Sequence, residues 1–146
     1  MQIKALGHVV LKVKNLARSV AFYRDILGMR EVARLRDVMV FFSLGKNHHD
    51  LALMELGASA AAGNPAATGL YHVAFKVGDS LAELEACKQH LEQHGVAISG
   101  MTDHTVSQSL YICDPDGIEL ELYVDADPTV WASNPEAVAT IKPLRW

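Results

Sequence analysis

Apolar and polar residues alternate along Leu6 to Val13, with Val9, Leu11 and Val13 on one parity and His8, Val10 and Lys12 on the other. That period of two predicts a strand with one buried face. Asn15 then caps a helix whose stripe is Leu16, Val20, Tyr23 and Leu27, and Gly28 stops it. Met29 to Leu35 and Val38 to Leu44 predict two strands joined at Arg36-Asp37, and His49 to Leu56 predicts a third after the loop Gly45 to His48. Gly57 to Gly69, rich in Ala and Gly and carrying Asn64-Pro65, has no period and reads as a linker.

The same order then repeats. Leu70 to Val77 is a strand with Val73, Phe75 and Val77 opposite His72. Ser80 and Glu83 form a capping box, Leu81, Leu84, Cys87 and Leu91 make the helical stripe, and Gly95 ends it. Val96 to Ser99, Ser109 to Cys113 and Ile118 to Val124 are the remaining strands, with a turn at Asp114-Pro115-Asp116-Gly117 before the last. The expectation is an α+β chain of two βαβββ modules, 1–56 and 70–125, joined by the linker 57–69. The modules pair into one curved mixed sheet with a metal site in its concave cleft. The tail, 126–146, holds Pro128, Pro135, Pro143, Trp131 and Trp146 and is not expected to form a strand. It could pack over the domain, cover a pocket or contact a second subunit.

The repeat extends to the wording of the chain: His8-Val9-Val10-Leu11-Lys12-Val13 returns as His72-Val73-Ala74-Phe75-Lys76-Val77. A histidine stands at the same place in each copy, on the parity facing away from the helix. Glu121 lies on the polar parity of an otherwise apolar strand, where a buried carboxylate is costly unless paired or coordinated. Two imidazoles and one carboxylate are the ligand set of open non-haem Fe(II) sites. A histidine opening a strand is more often an ordinary surface residue, and Glu121 could simply face solvent as Glu119 could. His48 reads as a polar loop end.

The 146 residues allow one domain with a core or two small modules sharing one. Half of them are apolar, 21% are charged, and the net charge is −4 without a basic run, which argues against nucleic acid or an anionic membrane as partner. No apolar stretch reaches the roughly 18 residues that span a bilayer, and Met1-Gln2-Ile3-Lys4 has no signal-peptide core. Cys87 and Cys113 form no close motif, so a reduced, cytoplasmic setting is expected.

Up to about Asp125 the chain resembles the vicinal oxygen chelate superfamily of glyoxalases, bleomycin and fosfomycin resistance proteins and type I extradiol dioxygenases. That resemblance implies metal ligands at His8, His72 and Glu121. His49-Asp50-Leu51-Ala52-Leu53, Asp103-His104, Tyr111 and the Asp-Pro-Asp-Gly turn before Glu121 are similar to the catechol 2,3-dioxygenase-like branch. By that similarity His49 is the acid–base residue, His104 positions substrate, and Tyr111 hydrogen-bonds it. The resemblance implies Fe(II), with Mn(II), Zn(II), Ni(II) or Co(II) as alternatives, a small aromatic substrate with O2, and a homodimer. Three features depart from the pattern: Ile118 stands where Asn usually follows the turn, the loop between His104 and Tyr111 is short beside that of the two-domain enzymes, and the chain is about half their length. A glyoxalase-type isomerase would need a fourth ligand, for which Glu55 is the candidate. A metal-free drug-binding protein is the alternative outside enzymes.

Overall fold

The computed structural model describes residues 1–64 and 66–146. Pro65, part of the expected linker, lies outside the described residues. The chain forms two compact units, Met1–Gly63 and Asn64–Trp146, and the division falls within the stretch 57–69.

In the first unit β1 (Val9–Val13) leads to α1 (Leu16–Val20), then β2 (Arg30–Leu35), β3 (Met39–Ser43) and β4 (Leu51–Glu55). The sheet order is β1-β4-β3-β2, with β1 and β4 parallel and the other pairs antiparallel. The central strand β4 is buried on both faces at Leu51, Ala52 and Leu53. The Asn15 side chain accepts from the Arg18 N–H at 2.8 Å, so the expected cap is present. The helix does not continue in α form as its stripe predicts. From Ala21 to Ile26 it widens into a π-helix, with Leu27 N–H donating to the Phe22 carbonyl at 3.0 Å. The wider turn brings Phe22 into the core beside Tyr23 and leaves Leu27 half-buried.

The second unit repeats the plan with β5 (His72–Gly78), α2 (Leu81–Gln93), β6 (Ile98–Asp103), β7 (Ser107–Cys113) and β8 (Glu119–Asp125). Its sheet order is β5-β8-β7-β6-β9, again with the first and last strands of the module parallel. Leu84 and Leu91 of α2 are fully buried, as are Leu110, Ile112, Leu120 and Val124 of the sheet. Each such side chain contributes roughly 1.5–3 kcal/mol of transfer free energy. The capping box forms: Glu83 N–H donates to Ser80 Oγ at 3.3 Å, and Glu83 Oε2 accepts from the Ser80 hydroxyl and the Asp79 N–H. Gly78 is required here, because a Cβ would lie 2.7 Å from Glu83 Cβ.

Several strand boundaries differ from the sequence pattern. β6 begins at Ile98 and runs to Asp103, beyond the expected Ser99, because a bulge between Ile98 and Gly100 resets its register on β7. β1 and β4 each begin two or three residues later than alternation suggests. The tail also departs from expectation. After α3 (Pro128–Ser133) and a 3-10 turn (Pro135–Ala139) it adds a two-residue strand, β9 (Lys142–Pro143), to the β6 edge. Proline is tolerated there because an edge position does not need its N–H.

The loop between β3 and β4 is tied by Asp50, whose carboxylate accepts from the Leu44 N–H at 2.7 Å and from Asn47 Nδ2 at 2.7 Å. These bonds, the Leu44 contribution first, hold its carboxyl below the usual aspartate range. A depressed folded-state pKa means stability that is present above the unfolded value and lost as pH falls through the folded one. Asp50→Ala is expected to cost about 1 kcal/mol at neutral pH, measured by urea unfolding, with the difference from the parent shrinking below pH 4. A difference that stays constant down to pH 2 would contradict this account.

Candidate metal centre and its surroundings

The parallel pairing of β5 with β8 places a histidine beside two carboxylates. His72 is in register with Glu119, and Ala74 with Glu121. Residues in register share a face, so His72, Ala74, Glu119 and Glu121 line the side of the sheet away from α2. His72 Nε2 lies 3.1 Å from Glu121 Oε2, and Nδ1 lies 3.4 Å from Glu119 Oε1. The second approach is close but makes no hydrogen bond, and Nδ1 is a buried atom without a hydrogen-bond partner. Glu121 Oε1 accepts from the Ser109 hydroxyl at 2.6 Å. Ser109 is fully buried. It went unnoticed as a candidate in the sequence, although it shares the polar parity of β7 with Tyr111.

Tyr111 is in register with Glu121 across β7 and β8. Its ring centroid is 6.0 Å from that of His72. Burial first, and then the neighbouring Glu121 charge, push its phenol up to about 12. His104, in the loop between β6 and β7, reaches the Tyr111 hydroxyl with Nε2 at 2.8 Å. Four of the six expected site residues, His72, His104, Tyr111 and Glu121, thus converge in the second unit.

The other two meet in the first unit. His8 immediately precedes β1, and its ring lies 4.1 Å from that of His49, centroid to centroid. Strict alternation along β4 would turn His49 toward the helix with Leu51 and Leu53. It escapes that constraint because β4 begins only at Leu51. Phe41 packs edge-on against His49 at 5.3 Å. His48 is not an idle loop end, since its Nδ1 lies 2.6 Å from His49 Nδ1. One of those two nitrogens must carry the proton and the other accept it. Burial, followed by the charges of His8 and His48, lowers the His49 pKa below the usual histidine value.

Glu55 takes a different place. It is in register with Val13, on the face that packs against α1. Its Oε2 accepts from the Leu16 N–H at 2.6 Å. The carboxylate therefore satisfies a free donor at the helix start, on the opposite parity from Val10 and Lys12. Equivalent register makes Ala52, opposite Val10, the first-unit counterpart of Glu121, opposite Ala74.

Among the described residues, no group of three or more His, Cys, Asp or Glu side chains is disposed to hold a metal ion. No helix among them is long and apolar enough to cross a membrane. Within the second unit, His72 Nε2 and Glu121 Oε2 bring one nitrogen and one oxygen donor within 3.1 Å of each other, with Ser109 orienting the carboxylate. A nitrogen–oxygen pair of this kind fits a first-row divalent ion.

Comparison with known proteins places these residues in a family. The catechol-2,3-dioxygenase of Bacillus subtilis (strain 168) is 33% identical over 131 residues, covering 90% of this chain but 45% of that protein. The chain therefore spans about half the length of that relative. The glutathione transferase FosA of Serratia marcescens is 31% identical over 122 residues, covering 84% of this chain and 82% of that protein. The crystal structure of a lactoylglutathione lyase from Agrobacterium tumefaciens superposes with a TM-score of 0.66 at 30% identity, covering 85% of this chain and 96% of that one. Residues 5–122, which carry the duplicated module, match the Glyoxalase/Bleomycin resistance protein/Dioxygenase superfamily, and the chain belongs to it.

Proposed function

We propose that the chain is an Fe(II)-dependent extradiol dioxygenase that opens the ring of a catechol-type substrate with O2. The single observation that carries this reading is the hydrogen-bonded pair of Tyr111 and His104 beside Glu121 and His72. A dioxygenase has work for that pair, whereas a thiol transferase leaves it without a role. His8, His72 and Glu121 would hold the ion. When bound, it would supply Lewis acidity toward a hydroxylated substrate and one-electron chemistry toward O2.

The protein side of the chemistry follows from the residues. His49 is held neutral by its partly buried surroundings, so it can take and return a proton near pH 7. Tyr111 keeps its proton throughout that range and serves as a hydrogen-bonding phenol at the substrate. His104 fixes the direction of the Tyr111 hydroxyl. Ser109 holds one Glu121 oxygen, so that the other faces His72. Superfamily membership supports a divalent metal in general, and the similarity to a catechol-2,3-dioxygenase supports iron in particular. A fourth carboxylate ligand, which an isomerase of this fold would use, finds no support in Glu55, which is engaged at the start of α1. The same reading takes the cytoplasm as the setting and a homodimer as the assembly.

Anaerobic reconstitution with Fe(II), followed by a catechol and air, is expected to give a yellow ring-cleavage product. Glu121→Ala should lose both the bound iron and the colour. His49→Phe should retain iron and lose turnover by roughly 10²–10⁴-fold, the usual worth of a positioned acid–base group. Stoichiometric iron with no colour from any catechol would sink the dioxygenase reading and favour an isomerase or transferase. A sample that takes up no metal would favour a binding protein.

Glu55→Gln separates the isomerase alternative. It should leave metal stoichiometry unchanged and lower stability by about 1 kcal/mol through the weakened start of α1. Loss of bound metal in this variant, measured by elemental analysis, would restore Glu55 as a ligand.

A further inference from the structure

Two hydrogen bonds on one imidazole set the position of a proton. His104 Nδ1 lies 2.8 Å from the Thr140 carbonyl oxygen, and Nε2 lies 2.8 Å from the Tyr111 hydroxyl. A carbonyl oxygen can only accept, so Nδ1 must be the nitrogen that carries hydrogen. In a neutral imidazole Nε2 is then bare, and the Tyr111 hydroxyl donates to it. Glu121 and Ser109 are also hydrogen-bond partners of that hydroxyl. Glu121 Oε1 accepts from Ser109 at 2.6 Å, and its Oε2 faces His72 at 3.1 Å, so both carboxylate oxygens already have other partners.

Free histidine in water prefers the opposite tautomer, with the proton on Nε2. The preference is reversed here by a backbone group far along the chain. Thr140 belongs to the C-terminal segment, which is fastened to the same loop that carries His104. Lys142 and Pro143 of β9 are in register with Asp103 and Thr102 of β6. Lys142 Nζ donates to Thr105 Oγ1 at 3.2 Å. On the other side of the loop, the His104 N–H donates to the Ser107 carbonyl at 2.9 Å, and Thr105 takes a left-handed φ of 70°. The loop backbone and the tail together leave the imidazole little freedom to turn.

We propose that the C-terminal segment is a positioning element of this site: the Thr140 carbonyl fixes neutral His104 as its Nδ1–H tautomer and thereby commits the Tyr111 hydroxyl proton to His104 Nε2. With its proton so placed, Tyr111 meets a donor such as a substrate hydroxyl through an oxygen lone pair, as an acceptor. This consequence for substrate rests on the dioxygenase reading; the tautomer does not.

The test needs neither metal nor turnover, so it can fail independently of the assigned reaction. The metal-free full chain, labelled with 15N-histidine at pH 8.5, is studied by long-range 1H–15N correlation. His104 is assigned by the signals lost in His104→Gln. The expected spectrum has a protonated Nδ1 and a bare Nε2 for His104. Tyr111→Phe should keep that pattern, because the Thr140 carbonyl remains. Lys142→Pro, which breaks the β6–β9 ladder in the full chain, should move the proton toward Nε2, seen as a large upfield shift of that nitrogen. Protonated Nε2 in the parent protein overturns the proposal. So does loss of the pattern in Tyr111→Phe, which would make the phenol the determinant, or its full retention in Lys142→Pro.

Discussion

Everything in the candidate site depends on one kind of contact, the parallel pairing of the first and last strands of each module. β1 lies on β4 and β5 lies on β8. These strands are far apart in sequence, joined through a helix and an antiparallel pair, as parallel pairing requires a crossover. In β8 the apolar parity, Leu120, Leu122 and Val124, is then buried, and the other parity is half-buried on the opposite face. In the second unit that second face carries His72, Glu119 and Glu121. A register slip of one residue on β8 would turn Glu121 into the core and Leu120 out of it, at the cost of burying a charge. The position of the carboxylate is thus set by Leu120, Leu122 and Val124, all buried beneath it.

Most of this was legible in the chain. Alternation along β1, β5 and β8 identifies which face each histidine and Glu121 occupies, and the caps at Asn15 and Ser80 come directly from their side chains. What alternation cannot express is where a strand begins. His49 is a site candidate through the resemblance alone, since its parity would have sent it toward the helix, and Glu55 shares that parity. Only the start of β4 at Leu51 separates them. The π-helix was invisible for a related reason: a 3.6-residue stripe through Tyr23 and Leu27 looks regular, and Phe22 enters the core only when the turn widens. The β9 strand is too short to carry a period, and its two prolines' worth of context, Pro135 and Pro143, argued against any strand.

The two modules have kept one element of chemistry and diverged in another. Each begins with a histidine, but the register position that holds Glu121 in the second holds a fully buried Ala52 in the first. The first module instead gathers imidazoles, with His48 and His49 around His8. A cluster of imidazoles can move protons, whereas a carboxylate beside an imidazole can hold a cation. The duplicated scaffold therefore carries two different groups of side chains, and each strand pair differs in them without altering the plan beneath it.

Ser109 would give the proposed cation site of the second unit a selective character. With one Glu121 oxygen bound to a buried hydroxyl at 2.6 Å, the carboxylate has a single oxygen to offer. Calcium favours many oxygen donors and often grips a carboxylate through both. A one-oxygen carboxylate next to an imidazole nitrogen instead suits smaller ions with a taste for nitrogen. In the proposed metal site, a serine outside the ligand set would thus act as a filter on the cation pool, disfavouring hard ions that need both carboxylate oxygens.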